Sequence, residues 1–124
     1  MIRKLLLYVL ILCTVPALSQ IRILEAHAVS INYGKWELID PPAKIVVEDE
    51  VVSIYTVIFQ EYNVISQLYK SDSENETSST WLCVDKDGTR CHVTLGIVSN
   101  DPYGYYLLIK YSDWKWLYRC YLKD

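Results

Sequence analysis

The chain has 124 residues, a formal net charge of -3, 52% hydrophobic residues and 22% charged residues. That length suits one domain, and so apolar a chain is not a disordered one. The mild acidity and the lack of a basic block argue against nucleic acid as a partner.

Met1-Ile2-Arg3-Lys4 supplies a short cationic start, and Leu5 to Cys13 runs without a charge until Pro16. Ala17-Leu18-Ser19 then places small residues where a leader is cut, so residues 1–19 read as a secretory signal peptide. Leu12 before Cys13 is too large for a lipoprotein signal. A spanning helix needs roughly 20 apolar residues, and no segment after Gln20 supplies them. The exported domain, residues 20–124, keeps 10 basic residues against 15 acidic ones, a charge of about -5.

From Ile21 onward the apolar pattern has period two, carried by Tyr, Val, Ile and Trp. The expected strands are Ile21–Ile31, Lys35–Ile39, Lys44–Glu48, Val51–Phe59, Asn63–Lys70, Thr80–Asp85, Thr89–Ser99, Tyr105–Tyr111 and Trp114–Leu122, some of which should merge. Turn signals separate them at Asn32-Tyr33-Gly34, Asp40-Pro41-Pro42, Glu48-Asp49-Glu50, Asp87-Gly88, Asn100-Asp101-Pro102 and Ser112-Asp113. Ser71–Ser79 is polar throughout and predicts a mobile loop. The fold expected is all-β: an antiparallel meander of about eight strands, closed as a small lipocalin-like barrel or packed as a two-layer sandwich.

The last hairpin can be read to the residue. A two-residue Ser112-Asp113 loop sets Tyr111 opposite Trp114, Ile109 opposite Trp116, Leu107 opposite Tyr118 and Tyr105 opposite Cys120. Each pair is apolar against apolar, and a slip of one residue would turn the whole set outward.

Cys83 and Cys91 flank the Asp87-Gly88 turn. A three-residue loop Lys86-Asp87-Gly88 with a left-handed glycine sets the two cysteines opposite each other, within disulfide reach. A two-residue loop sets Cys83 opposite His92 and turns the cysteines to opposite faces. The first register is favoured because it puts Cys83, Cys91 and Cys120 all on an inward face. An odd cysteine remains in either case, and buried thiols that only fill volume are the competing reading.

Little else carries chemistry. Asp85-Lys86-Asp87-Gly88 opens like a calcium loop, but no acid stands near Thr94 to complete it. Cys91 and His92 face opposite ways on a strand, and a Cys91–His27 pair rests on residue type alone. No catalytic residue, metal ligand or cofactor is therefore assigned. The distinctive content is aromatic, with 11 tyrosines and 4 tryptophans. Such rings suit half-wet places such as cavity mouths and interfaces. Tyr105, Trp114, Trp116 and Tyr118 are the expected contact residues, although filling the core of a small β domain also uses large rings.

Trp81-Leu82-Cys83-Val84-Asp85-Lys86-Asp87-Gly88-Thr89-Arg90-Cys91, followed by Ile109-Lys110-Tyr111-Ser112-Asp113-Trp114-Lys115-Trp116-Leu117-Tyr118, resembles a group of small exported proteins of Bacteroidota. Those proteins carry a W-x-C-x-D-x-D-G-x-x-C hairpin before a terminal aromatic hairpin. The resemblance covers about the last third of the chain and implies an exported β domain without an assigned activity. Cys120 stands where that pattern more often has an aliphatic residue.

These readings lead to an exported, non-enzymatic module that binds a small amphipathic ligand or a protein. The alternative is a structural or assembly component, or an inhibitor of a secreted protein.

Overall fold

The computed structural model describes residues 21–100 and 104–123. The expected signal peptide lies outside them, as does most of the Asn100-Asp101-Pro102 turn. Eight strands follow in chain order: β1 (Arg22–Ile31), β2 (Trp36–Val47), β3 (Val51–Tyr55), β4 (Phe59–Asp72), β5 (Glu76–Val84), β6 (Arg90–Val98), β7 (Tyr105–Lys110) and β8 (Lys115–Leu122). Each pairs antiparallel with the next, and β8 returns to β1 to close a barrel. Closure decides between the two architectures expected.

Alternation builds the interior. Leu24, Ile45, Val52, Ile54, Val93, Leu107 and Ile109 project inward and are essentially solvent-free, with Cys83 and Cys120 among them. An eight-stranded barrel is just wide enough for such side chains to fill it. Burying each one fully is worth about 1.5–3 kcal/mol.

The terminal hairpin has the expected register, with Tyr105 opposite Cys120, Leu107 opposite Tyr118 and Ile109 opposite Trp116. Tyr111 N–H donates to the Trp114 carbonyl at 2.8 Å and closes the two-residue loop. The β5–β6 turn likewise has the three-residue form, setting Cys83 opposite Cys91. Gly88 there has φ +85°, and Asp85 Oδ1 accepts the Asp87 and Thr89 amides, both at 2.9 Å. The bridge itself is absent: Cys83, Cys91 and Cys120 are free thiols. Facing positions bring two thiols within reach without joining them. Burial raises their pKa values, to about 12 for Cys83 and Cys120 and about 11 for Cys91. That suppresses the thiolate on which disulfide formation depends.

Three expected elements change. Lys35–Ile39 and Lys44–Glu48 are one strand, β2, running through Asp40-Pro41-Pro42. The prolines fit because β3 pairs β2 only over Lys44 to Val47 and the β1 ladder skips from Ala43 to Leu38, so no ladder needs their missing amide protons. Val51–Phe59 is instead broken at Thr56–Ile58. Thr56 Oγ1 donates to the Ile58 carbonyl at 2.7 Å and accepts the Ile58 amide at 3.1 Å, making a turn of residues that read as strand.

The polar Ser71–Ser79 segment forms hairpin rather than loop. β4 runs to Asp72, Ser73 N–H bonds to the Glu76 carbonyl at 2.8 Å, and β5 begins at Glu76. The Asp72–Thr77 and Ser71–Ser78 pairs continue the ladder. Backbone pairing with β4 and β6 holds this stretch without apolar side chains.

Gly88→Ala should cost about 1 kcal/mol, since the added methyl meets nothing within 4 Å and only the left-handed backbone opposes it. Urea unfolding measures this. Alkylation under native conditions should leave Cys83, Cys91 and Cys120 unmodified, and alkylation after unfolding without reductant should label all three. Labelling only one would show a Cys83–Cys91 bridge.

Candidate functional site

Antiparallel alternation gathers the β1–β2, β3–β4, β5–β6 and β7–β8 turns at one end of the barrel. That end opens into a cavity of about 620 Å³, whose lining includes Phe59, Tyr62, Tyr111, Trp114, Trp116 and Tyr118. The size falls within the range of small-molecule sites. A smaller hollow of about 300 Å³ lies among Arg22, Lys70, Ser78 and Trp81.

The last hairpin supplies much of the wall. Trp114, Trp116 and Tyr118 are alternate residues, so all three turn to the same side, and exposure falls inward from 46% at Trp114 to 5% at Tyr118. Trp114 meets Trp116 edge-on with centroids 5.2 Å apart, and Tyr111 packs on Trp116 at 5.7 Å. Opposite them, Val57 and Ile58 at the β3–β4 turn are 99% and 69% exposed. Ile58 lines the cavity.

Beneath the rings lies a polar tier. Tyr62 O–H donates to Gln60 Oε1 at 2.6 Å, and Gln60 Nε2 donates to the Tyr118 hydroxyl at 3.4 Å. Burial pushes the Tyr62 and Tyr118 hydroxyls up, so both stay protonated at neutral pH. Trp116 and Gln60 oppose that effect at Tyr118. The Trp116 indole N–H itself is buried and, among the described residues, reaches no acceptor in hydrogen-bond geometry.

Tyr111 O–H donates to Asp85 Oδ2 at 2.7 Å. This bond, with the turn amides, holds the Asp85 carboxyl below its ordinary value. Burial, then Asp85, raises Tyr111. The Asp-x-Asp-Gly turn thus spends its first carboxylate on its own amides and on the mouth. Among the described residues, no three His, Cys, Asp or Glu side chains converge on a metal position.

Of the four expected contact residues, Trp114, Trp116 and Tyr118 line the cavity and Tyr105 does not. Tyr105 starts β7 at the other end, half-buried against the core. The same spacing that makes it an inward residue carries it away from the mouth. Phe59, Gln60 and Tyr62 were not among the expected residues, because their distance in sequence from β8 hides their place across the barrel.

His27 does not approach Cys91. It lies at the β1 bulge, stacked on Tyr121 at 4.9 Å, with Nε2 2.6 Å from the Tyr121 hydroxyl and 2.9 Å from Glu25 Oε1. Cys91 is buried in the core instead. The His27 contact is the foremost cause of the lowered Glu25 pKa.

Comparison with protein-family models, with curated proteins and with solved structures found no match for this chain.

A carboxyl with a lowered pKa stabilises the fold above its ordinary titration range, and that contribution disappears as pH falls through the folded value. Asp85→Asn should therefore flatten the fall in unfolding free energy below about pH 4. Chemical denaturation at several pH values reads the slope, and an unchanged slope would remove Asp85 from this role.

Proposed function

We propose that this protein is a non-enzymatic binding module, exported to the periplasm or the cell exterior, that holds a small amphipathic ligand in the barrel mouth. The observation that carries this reading is the aromatic cavity of about 620 Å³ at one end of a barrel packed at its middle. The rings offer apolar area, and Glu61, Asp85 and Asp87 at the rim offer contacts to a polar group. Trp114, Trp116 and Tyr118 are the contact residues in this proposal, joined by Phe59.

Export follows from the leader over residues 1–19 and is part of the proposal. A role in assembly, or in inhibiting a secreted protein, is the second reading, favoured by the exposed Val57 and Ile58 at the rim. Such a protein-binding role would use the tip of the β3–β4 turn rather than the cavity.

Native mass spectrometry of the protein from its own host should show added mass that leaves on denaturation. Trp116→Ala should weaken binding of the apolar fluorophore N-phenyl-1-naphthylamine about tenfold or more, with the fold retained by circular dichroism. A bare chain together with unchanged fluorophore affinity would move the function to the protein-binding reading.

A further inference from the structure

The chemistry of the mouth narrows the class of ligand. The cavity is lined by three carboxylates, Glu61, Asp85 and Asp87, against one ammonium, Lys86. Asp85 is held ionised by the Tyr111 hydroxyl and the turn amides of Asp87 and Thr89. The local sign is negative, as is that of the whole chain.

Aromatic faces reinforce this sign. A ring presents negative potential above its plane, and a cation over that plane is attracted most when it has shed water. One such contact is already made within the rim, where Lys86 Nζ stands 5.1 Å from the Phe59 ring centroid. Tyr111, by donating its proton to a carboxylate, carries an electron-enriched ring. The hydrogen bonds of the polar tier are largely satisfied internally, with Tyr62 on Gln60 and Gln60 on Tyr118. What the wall leaves for a ligand's head is ring faces and carboxylates. Those recognise a soft, weakly hydrated cation better than an anion, which the acids repel.

We infer that the barrel mouth is selective for amphipathic organic cations, a quaternary or tertiary ammonium attached to an apolar ring or chain. This inference rests on the ligand-binding reading above and names the class of its ligand. The apolar part enters among Trp116, Tyr118 and Tyr62, and the cationic head stays at the rim by Trp114, Phe59 and the turn carboxylates. The rim is where the head can keep part of its hydration while facing both.

Three probes built on one naphthylmethyl group test it by calorimetric titration at low ionic strength. They are (2-naphthylmethyl)trimethylammonium, its uncharged carbon isostere 2-neopentylnaphthalene, and naphthalene-2-acetate. The cation should bind at least tenfold tighter than the isostere, with the anion weakest.

Glu61→Gln with Asp87→Asn should lower the preference for the cation severalfold, and Lys86→Gln should raise it. Neither change touches a buried side chain. If the isostere or the anion binds as tightly as the cation, the inference is overturned and the cavity reading stands. If none of the three binds the folded protein, both are overturned. An unaltered preference in both sets of variants would also overturn the inference, because the rim charges would then have no part in it.

Discussion

The structure depends on one pairing, the ladder between β1 and β8. It runs from Leu24 opposite Leu122 to Ile31 opposite Trp116. Without it the meander would be an open sheet with two unpaired edges and one apolar face toward water. With it, alternation becomes a distinction between inside and outside. The register shifts on both sides of β1 between Ala26 and Ala28: His27 is the extra residue against β8, while against β2 the extra residues are 39–42 of β2, so the bulge in β1 belongs to this closure. Below the bulge Leu24 and Ala26 face the core; above it Val29 and Ile31 line the mouth. His27 shares the outward face of β1 with Glu25 and joins it and Tyr121 there.

The interior changes character along the barrel axis. At mid-height, aliphatic side chains and cysteines fill the space, as the diameter of eight strands allows. At the mouth, broad rings on β4 and β8 stand against the wall and leave room between them. A Tyr or Trp lining a wall keeps a polar atom near water or a partner, which Leu cannot do. The polar tier of Gln60, Tyr62 and Tyr118 lies where the packed region gives way to the open one. The Asp85 turn adds a brace, because one carboxylate both shapes the β5–β6 loop and holds Tyr111 at the cavity wall.

Local chemistry made much of this legible. The terminal hairpin and the Asp87-Gly88 loop were readable because their register follows from turn length and from apolar pairing a few residues apart. The thiol state was not readable in the same way, since facing positions are necessary for a bridge and not sufficient. Two of the misread segments have separate causes. Pro41 and Pro42 signal a turn, but a strand whose neighbour stops short can carry them. Val57 and Ile58 signal a strand, but the Thr56 hydroxyl turns the chain there. Their apolar character belongs to the rim of the cavity rather than to a buried strand, and local rules fail most readily at such places.

The sequence by itself determined the all-β class, the alternating pattern, the order of hairpins and the aromatic character of the last strand, because these depend on neighbours within a few residues. Only the tertiary structure decided that the sheet closes, that Gln60 and Tyr62 join Tyr118 in one tier with Phe59 at the rim, and that Tyr105 sits away from the mouth. The reason is geometric: closure joins residues nearly a hundred positions apart, as Leu24 and Leu122. Period two says which residues share a face, but it does not say at which height along a closed barrel each one stands.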